Sequence, residues 1–122
     1  MNIVIVGTGY VGLVTGVGFA EQGHTVSFID LDSSKVEKLK NKQLPFFEPD
    51  LETYFSKKEN FNRMSFHSSY NSLNWDESEI VFICVQTPNN IETNSVDTKF
   101  LESAISEISK LNNKEIVITV KS

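Results

Sequence analysis

Residues 1–30 read MNIVIVGTGYVGLVTGVGFAEQGHTVSFID, and they decide the fold. Met1–Val6 is a short Ile/Val run, the composition of a parallel strand buried on both faces. Gly7–Gly12, GTGYVG, has the spacing G-x-G-x-x-G. Val11, Leu13, Val14, Val17 and Ala20 then recur at helical spacing, and Gly23 ends that helix. Thr25–Ile29 reads as a second strand, closed by Asp30. Each glycine has a physical task. Gly7 permits the tight turn off the strand, and Gly9 lets backbone approach a pyrophosphate. Gly12 lets helix pack closely on strand. The helix that starts here turns free N–H groups and its positive dipole end toward an anion. A glycine-rich turn alone would be weak evidence. Here a strand precedes it, an amphipathic helix follows, and an acid ends the next strand. Asp30 lies 18 residues beyond Gly12, near the spacing of about 20 expected for an acid that holds the adenosine ribose. A carboxylate there accepts from ribose hydroxyls and repels a 2′-phosphate, so NAD is expected over NADP. Lys35, about one turn into the next helix, is either a solvated charge or a group reaching the ribose.

The remaining chain continues the alternation. Ser33–Asn41 reads as a helix with Val36 and Leu39 inward. Ser34 and Glu37 have capping-box spacing, and Asp32 is the competing cap. Gln43–Asp50 is a loop by its prolines, and Leu51–Lys57 is a short helix. Met64–Phe66 forms a third strand, and a brief helix is expected around Tyr70–Leu73. Ile80–Val85, IVFICV, is the most strand-like run. Gln86–Asp97 is a loop, after which Asp97 or Thr98 caps a helix reaching Leu111. Its apolar stripe is Phe100, Leu101, Ala104, Ile105, Ile108 and Leu111. Glu115–Val120 is the last strand. Five strands alternating with helices predict one doubly wound, Rossmann-type parallel α/β domain over residues 1–122, with helices on both faces.

Composition limits the function. The 122 residues carry 11 Lys+Arg against 16 Asp+Glu, a net charge of −5. That balance argues against nucleic acid, whose binders present a basic face. No apolar run approaches the roughly 20 residues of a membrane span, so no membrane partner is expected. The N-terminal stretch lacks the basic region of a signal peptide. With Cys84 the single cysteine, an internal disulfide is impossible, and a cytoplasmic setting is expected. No His/Cys/Asp/Glu grouping has ligand spacing, so no metal is expected.

Taken in order, GTGYVGLVTG, FIDLDSSKVEKL, LPFFEPDL, FICVQTP and VITVKS resemble the N-terminal domain of the UDP-glucose/GDP-mannose dehydrogenase family. The resemblance covers essentially the whole chain. GYVG and the F-E-P-x-L loop are far more selective than the glycines. Such enzymes oxidise the C6 alcohol of a nucleotide sugar to the acid, UDP-glucose to UDP-glucuronate for example, with two NAD. The resemblance implies NAD contacts at Gly7, Gly9, Tyr10, Val11 and Gly12, at Asp30 and Lys35, and at Thr87 in QTP. Gln86 stands where the family often has Pro. Lys121-Ser122 resembles the start of the family's Lys-Ser-Thr segment. The FFEPDL loop, residues 46–51, resembles the segment beside the sugar-nucleotide site, with Asp50 where many relatives have Gly.

The family's catalytic cysteine, lysine and sugar-binding domain would lie downstream, so no catalytic residue is assigned within these residues. The chain is expected to be the cofactor module of a larger enzyme, an excised piece or a broken gene product. It is expected to bind NAD without turnover. The sugar-nucleotide substrate would need the missing domain, with UDP-glucose favoured by the loop. The full-length relative is expected to be a homo-oligomer. Cys84 reads as a buried structural thiol. His24 and His67 read as structural, and Asp76, Glu77 and Glu79 as a solvated face. Glu48 reads either as a charge at a helix N-cap or as a polar group facing the substrate cleft. Trp75, Phe46 and Phe47 are core or a docking surface. Two other functions compete. One is a stand-alone nucleotide-sensing regulatory Rossmann domain, which would not be expected to carry FFEPDL or QTP. The other is an inert scaffold that binds no nucleotide.

Overall fold

The computed structural model describes residues 1–90, 92, 95–112 and 114–121. It begins with β1 (Asn2–Val6), α1 (Tyr10–Glu21), β2 (Thr25–Ile29) and α2 (Ser33–Lys40). Next come α3 (Pro49–Ser56), α4 (Lys58–Asn62), β3 (Met64–His67) and two single 3-10 turns at Tyr70–Ser72 and Trp75–Glu77. The last elements are β4 (Ile80–Ile83), β5 (Asn89–Asn90), β6 (Ser95–Val96), α5 (Lys99–Leu111) and β7 (Val117–Val120).

Five strands form one sheet in the order β3-β2-β1-β4-β7, and every pairing is parallel. The order reverses at β1, because the chain returns from the β3 edge to lay β4 on the other side. The two layers of core follow from side-chain alternation along β1. Ile3 and Ile5 face α1 and pack with Leu13, Val17, Phe28, Phe55 and Phe66. Val4 and Val6 face α5 and pack with Ile29, Tyr70, Trp75, Val81, Ala104 and Ile108. A strand buried on both faces has no polar side, which is why its sequence shows no alternation. The expected doubly wound sheet is therefore present.

Several boundaries differ from the sequence reading. The expected strand Ile80–Val85 ends at Ile83, because Ile83 pairs with Val6, the last residue of β1. The third strand runs one residue further than expected, to His67, and the last one starts later, at Val117. α3 starts at Pro49, since proline suits a first helical turn. The helix α4 had no apolar period to announce it. Residues 86–97 hold a small antiparallel pairing, β5 with β6. Asp32 caps α2, its Oδ1 accepting from the amides of Ser34 and Lys35. Thr98 occupies the N-cap of α5 without a side-chain bond, while the Asp97 carboxylate accepts from the Lys99 amide. In the stripe of α5 only Ala104 and Ile108 are buried, whereas Phe100 and Ile105 are exposed. Trp75 is core, Phe46 is half-buried against Tyr10, and Phe47 is 87% exposed. Among the described residues, no helix is long and apolar enough to cross a membrane.

Candidate cofactor site

Where strand order reverses, the loops after β1 and β4 run in opposite directions and leave a crevice at the carboxyl ends of the strands. Gly7 forms its floor. Its φ is +100°, a left-handed conformation that side chains disfavour, and a Cβ there would come within 2.7 Å of the Cys84 carbonyl oxygen. Its N–H donates to the Ile29 carbonyl at 2.8 Å, tying the turn to the end of β2. A Cβ on Gly12 would collide with the Gly7 carbonyl. Gly9 differs: it is the N-cap of α1, no side chain caps that end, and no atom lies within 4 Å of a Cβ built on it. So two glycines are required by protein contacts, and the third borders open space at a helix N-terminus.

Asp30 lies just past β2. Its Oδ2 accepts from the Thr8 amide at 3.0 Å and the Thr8 hydroxyl at 2.6 Å, and its Oδ1 accepts from the Asp32 amide at 3.0 Å. Lys35 Nζ stands 3.6 Å from Oδ2. Burial alone would push the carboxyl up, but the Thr8 hydroxyl, the Asp32 and Thr8 amides and Lys35 together hold it below its ordinary value. The acid is therefore ionised at neutral pH.

These groups line a cleft of about 260 Å³, with Gly7, Thr8, Gly9, Asp30 and Lys35 on one side and Cys84, Val85 and Gln86 on another. Leu31 and Phe100 also line it, and they are 67% and 53% exposed. Tyr70 and Ser103 complete the lining. Cys84 is half-buried rather than interior, a correction that follows from the early end of β4. Burial pushes its thiol up, against a smaller opposing effect of Lys121, so it stays a protonated thiol.

The structure thus brings together Gly7, Gly9, Asp30 and Lys35. Gly12 is buried beneath the turn. Tyr10 and Val11 lie on the outer face of α1, in a groove with Val14, Thr15, Phe19 and Lys121, and not in the Asp30 cleft. Thr87 is half-buried and absent from the cleft lining, where its neighbour Gln86 stands instead. Lys121 follows β7, its amide donating to Ile83, and Ser122 is outside the described residues. Glu48 caps α3 through the Asp50 amide and also lines a groove with Tyr10, Val14 and Tyr54. His24 contacts the N-terminal amine, and His67 bridges Ser65 and Ser72. Among the described residues no three metal-ligating side chains cluster. Sequence reasoning missed Thr8, Leu31, Tyr70 and Phe100. For Thr8 the signal was a hydroxyl inside the glycine turn, close to where the next strand must end.

Residues 1–122 match the NAD binding domain of the UDP-glucose/GDP-mannose dehydrogenase family. The chain belongs to that family. It is similar to UDP-glucose 6-dehydrogenase of Rickettsia felis, 38% identical over 122 residues, all of this chain and 27% of that protein. Its fold is similar to that of GDP-mannose dehydrogenase from Pseudomonas aeruginosa in a ternary complex. The TM-score is 0.88 at 28% identity, over 100% of this chain and 28% of that one. It is similar again to a UDP-glucose dehydrogenase of Pyrobaculum islandicum, with TM-score 0.88 and 31% identity, over 99% of this chain and 28% of that one. The chain spans between 13% and 28% of the length of the first curated relatives it matches, 27% for the Rickettsia felis protein. Membership makes this an NAD-binding domain of the Rossmann type and favours the oxidoreductase module over the nucleotide-sensing regulator.

Proposed function

We propose that the chain binds NAD in the Asp30 cleft as the cofactor module of a nucleotide-sugar 6-dehydrogenase, with UDP-glucose as the substrate class. One observation carries the placement: an ionised Asp30 beside a glycine turn whose middle glycine borders unfilled space. The residues fit the cofactor. Gly9 and the free N–H groups of the first turn of α1 would hold the pyrophosphate. Asp30 would accept from the adenosine ribose, with Lys35 beside it, and Leu31 and Phe100 offer apolar surface to the adenine. NAD, once bound, supplies a hydride acceptor; the protein supplies its position. Tyr10 and Val11 would serve through their backbone at the helix start, and Thr87 through the loop after β4. Lys35 is occupied by Asp30, which supports NAD over NADP. Cys84, protonated in the cleft, is not the nucleophile. Residues 1–122 form one domain in this reading, sufficient for the cofactor and not for turnover. Full-length relatives of this kind would be cytoplasmic homo-oligomers.

Calorimetric titration with NADH and NADPH tests the reading. Saturable NADH binding stronger than NADPH binding is expected, with Asp30→Ala narrowing the difference. Equal affinity for the two in the wild-type chain, or none for either, overturns it. Oxidation of UDP-glucose by the 122-residue chain alone would overturn the division of labour.

A further inference from the structure

We infer that Thr8 is the positioning residue of the site: it fixes the Asp30 carboxylate so that Oδ1 is the oxygen left to accept from the ribose. The inference rests on the reading that Asp30 meets the adenosine ribose. Thr8 occupies a variable position of G-x-G-x-x-G, yet it is 1% exposed, one of the few polar residues buried among those described. Both of its donors converge on one atom. The amide reaches Asp30 Oδ2 at 3.0 Å and the hydroxyl reaches the same oxygen at 2.6 Å. The second contact is short, as hydroxyl-to-carboxylate bonds are.

Counting acceptors shows the consequence. A carboxylate offers about four lone-pair sites, two on each oxygen. Thr8 fills both on Oδ2, and Lys35 lies against that same oxygen. The Asp32 amide takes one on Oδ1. One acceptor site remains, and it is on Oδ1. Threonine is β-branched, so its χ1 is restricted and the hydroxyl stands ready without searching rotamers. Without the hydroxyl the carboxylate keeps the Thr8 and Asp32 amides and Lys35 but loses its shortest bond, so its plane is held less tightly and the remaining acceptor site is aimed less sharply. Thr8 therefore acts on selectivity through Asp30 and need not touch the cofactor.

A merely structural Thr8 would staple the turn to β2 and nothing more. NADH and NADPH titrations of Thr8→Val, Thr8→Ser, Asp30→Ala and the double variant Thr8→Val/Asp30→Ala separate the two roles. Valine keeps the shape and removes the donor; serine keeps the donor. Thr8→Val is expected to weaken NADH binding about 5- to 20-fold, a share of what a hydrogen bond to a charge contributes. NADPH, which gains nothing from Asp30, should weaken less than about 3-fold, so the preference shrinks. Thr8→Ser should restore most of the lost affinity. In the Asp30→Ala background Thr8→Val should cost no more than about 2-fold further, because the residue through which it acts is gone. Equal weakening of both cofactors, or an undiminished effect of Thr8→Val without Asp30, overturns the inference. So does unchanged NADH binding in Thr8→Val. If Thr8→Val does not fold, Thr8→Ala is read in the same four-way comparison. A wild-type chain that binds no NADH fails the proposed function itself, and the inference with it; wild-type binding with insensitive Thr8 variants fails the inference alone.

Discussion

The three glycines of one motif answer to different demands, and substitution should separate them. Gly7→Ala places a side chain at φ +100° and within 2.7 Å of the Cys84 carbonyl. It should destabilise the fold by at least about 1–3 kcal/mol, the range for a strained non-glycine backbone. Gly9 has φ −74° and ψ −168°, ordinary extended backbone, and a Cβ there would meet open space. Gly9→Ala should therefore shift stability by less than about 1 kcal/mol, the scale of an altered N-cap. Its methyl group would nonetheless occupy the space read as the pyrophosphate's, so NADH affinity should fall at least about 10-fold, roughly 1.4 kcal/mol. Urea denaturation and calorimetry on the same samples read the two effects separately. A Gly9→Ala chain that binds NADH like wild type would move the pyrophosphate away from this turn. The glycine roles were legible because each follows from a backbone demand at fixed spacing. Thr8 was not, because its role depends on a contact 22 residues away in sequence. Cys84 misled because IVFICV is uniformly apolar, and only the pairing partner of Ile83 says where the strand stops.

Among the elements, α4 was invisible to periodicity: a single aromatic, Phe61, packs it on Phe55 and Phe66, and polar contacts hold it beside that ring. Asn60 is 1% exposed. Its side-chain amide donates to the Glu21 carboxylate at the end of α1 and to the Tyr54 carbonyl of α3. Its Oδ1 accepts from Arg63 at 3.4 Å, which also donates to Ala20. One buried side chain thus joins three helices. Removing it strands the Tyr54 carbonyl and loosens Arg63. Asn60→Ala should cost about 1–3 kcal/mol, the penalty for unpaired buried polar groups. Lys57→Ala breaks the exposed Lys57–Glu21 pair at 3.3 Å and should cost under about 0.5 kcal/mol. Urea midpoints of the two variants measure the contrast, and equal costs would mean that the buried network contributes no more than a surface ion pair. The other helices were readable where apolar spacing or cap chemistry is local. Val36 and Leu39 in α2 are buried as their spacing requires, and Asp32 caps as its position allows. Along α1, by contrast, Val14 is 40% exposed although it shares the apolar pattern. Apolarity alone does not say which side of a helix the sheet will take.

At the scale of the whole molecule, alternation of strands and helices was enough to give a parallel sheet buried on both faces, because β1 has no polar side. The exact ends of the elements depended on non-local pairing. The same non-local packing sets the acid response. Burial, and to a smaller extent Lys40 of α2, lower the pKa of His67 from 6.5. Its ring otherwise meets the Ser65 and Ser72 hydroxyls, neither of which carries charge. A lowered histidine pKa means that the unfolded chain takes up the proton first. Stability is then full above about pH 6.5 and is lost as pH falls toward the folded-state value. Asp30 is lowered from 3.8 by its hydrogen bonds and Lys35 against the upward push of burial. Its contribution is present above that pH and disappears as pH falls through the folded value. Glu21 and Asp32 are lowered in the same direction by their own hydrogen bonds. Two phases of acid destabilisation follow, a shallow one beginning near pH 6.5 and a steeper one below about pH 4. Urea denaturation at a series of pH values should resolve them. His67→Gln should flatten the first phase and leave the second, whereas Asp30→Asn should reduce the second and leave the first. A first phase that persists in full in His67→Gln would show that the histidine is not the group being titrated.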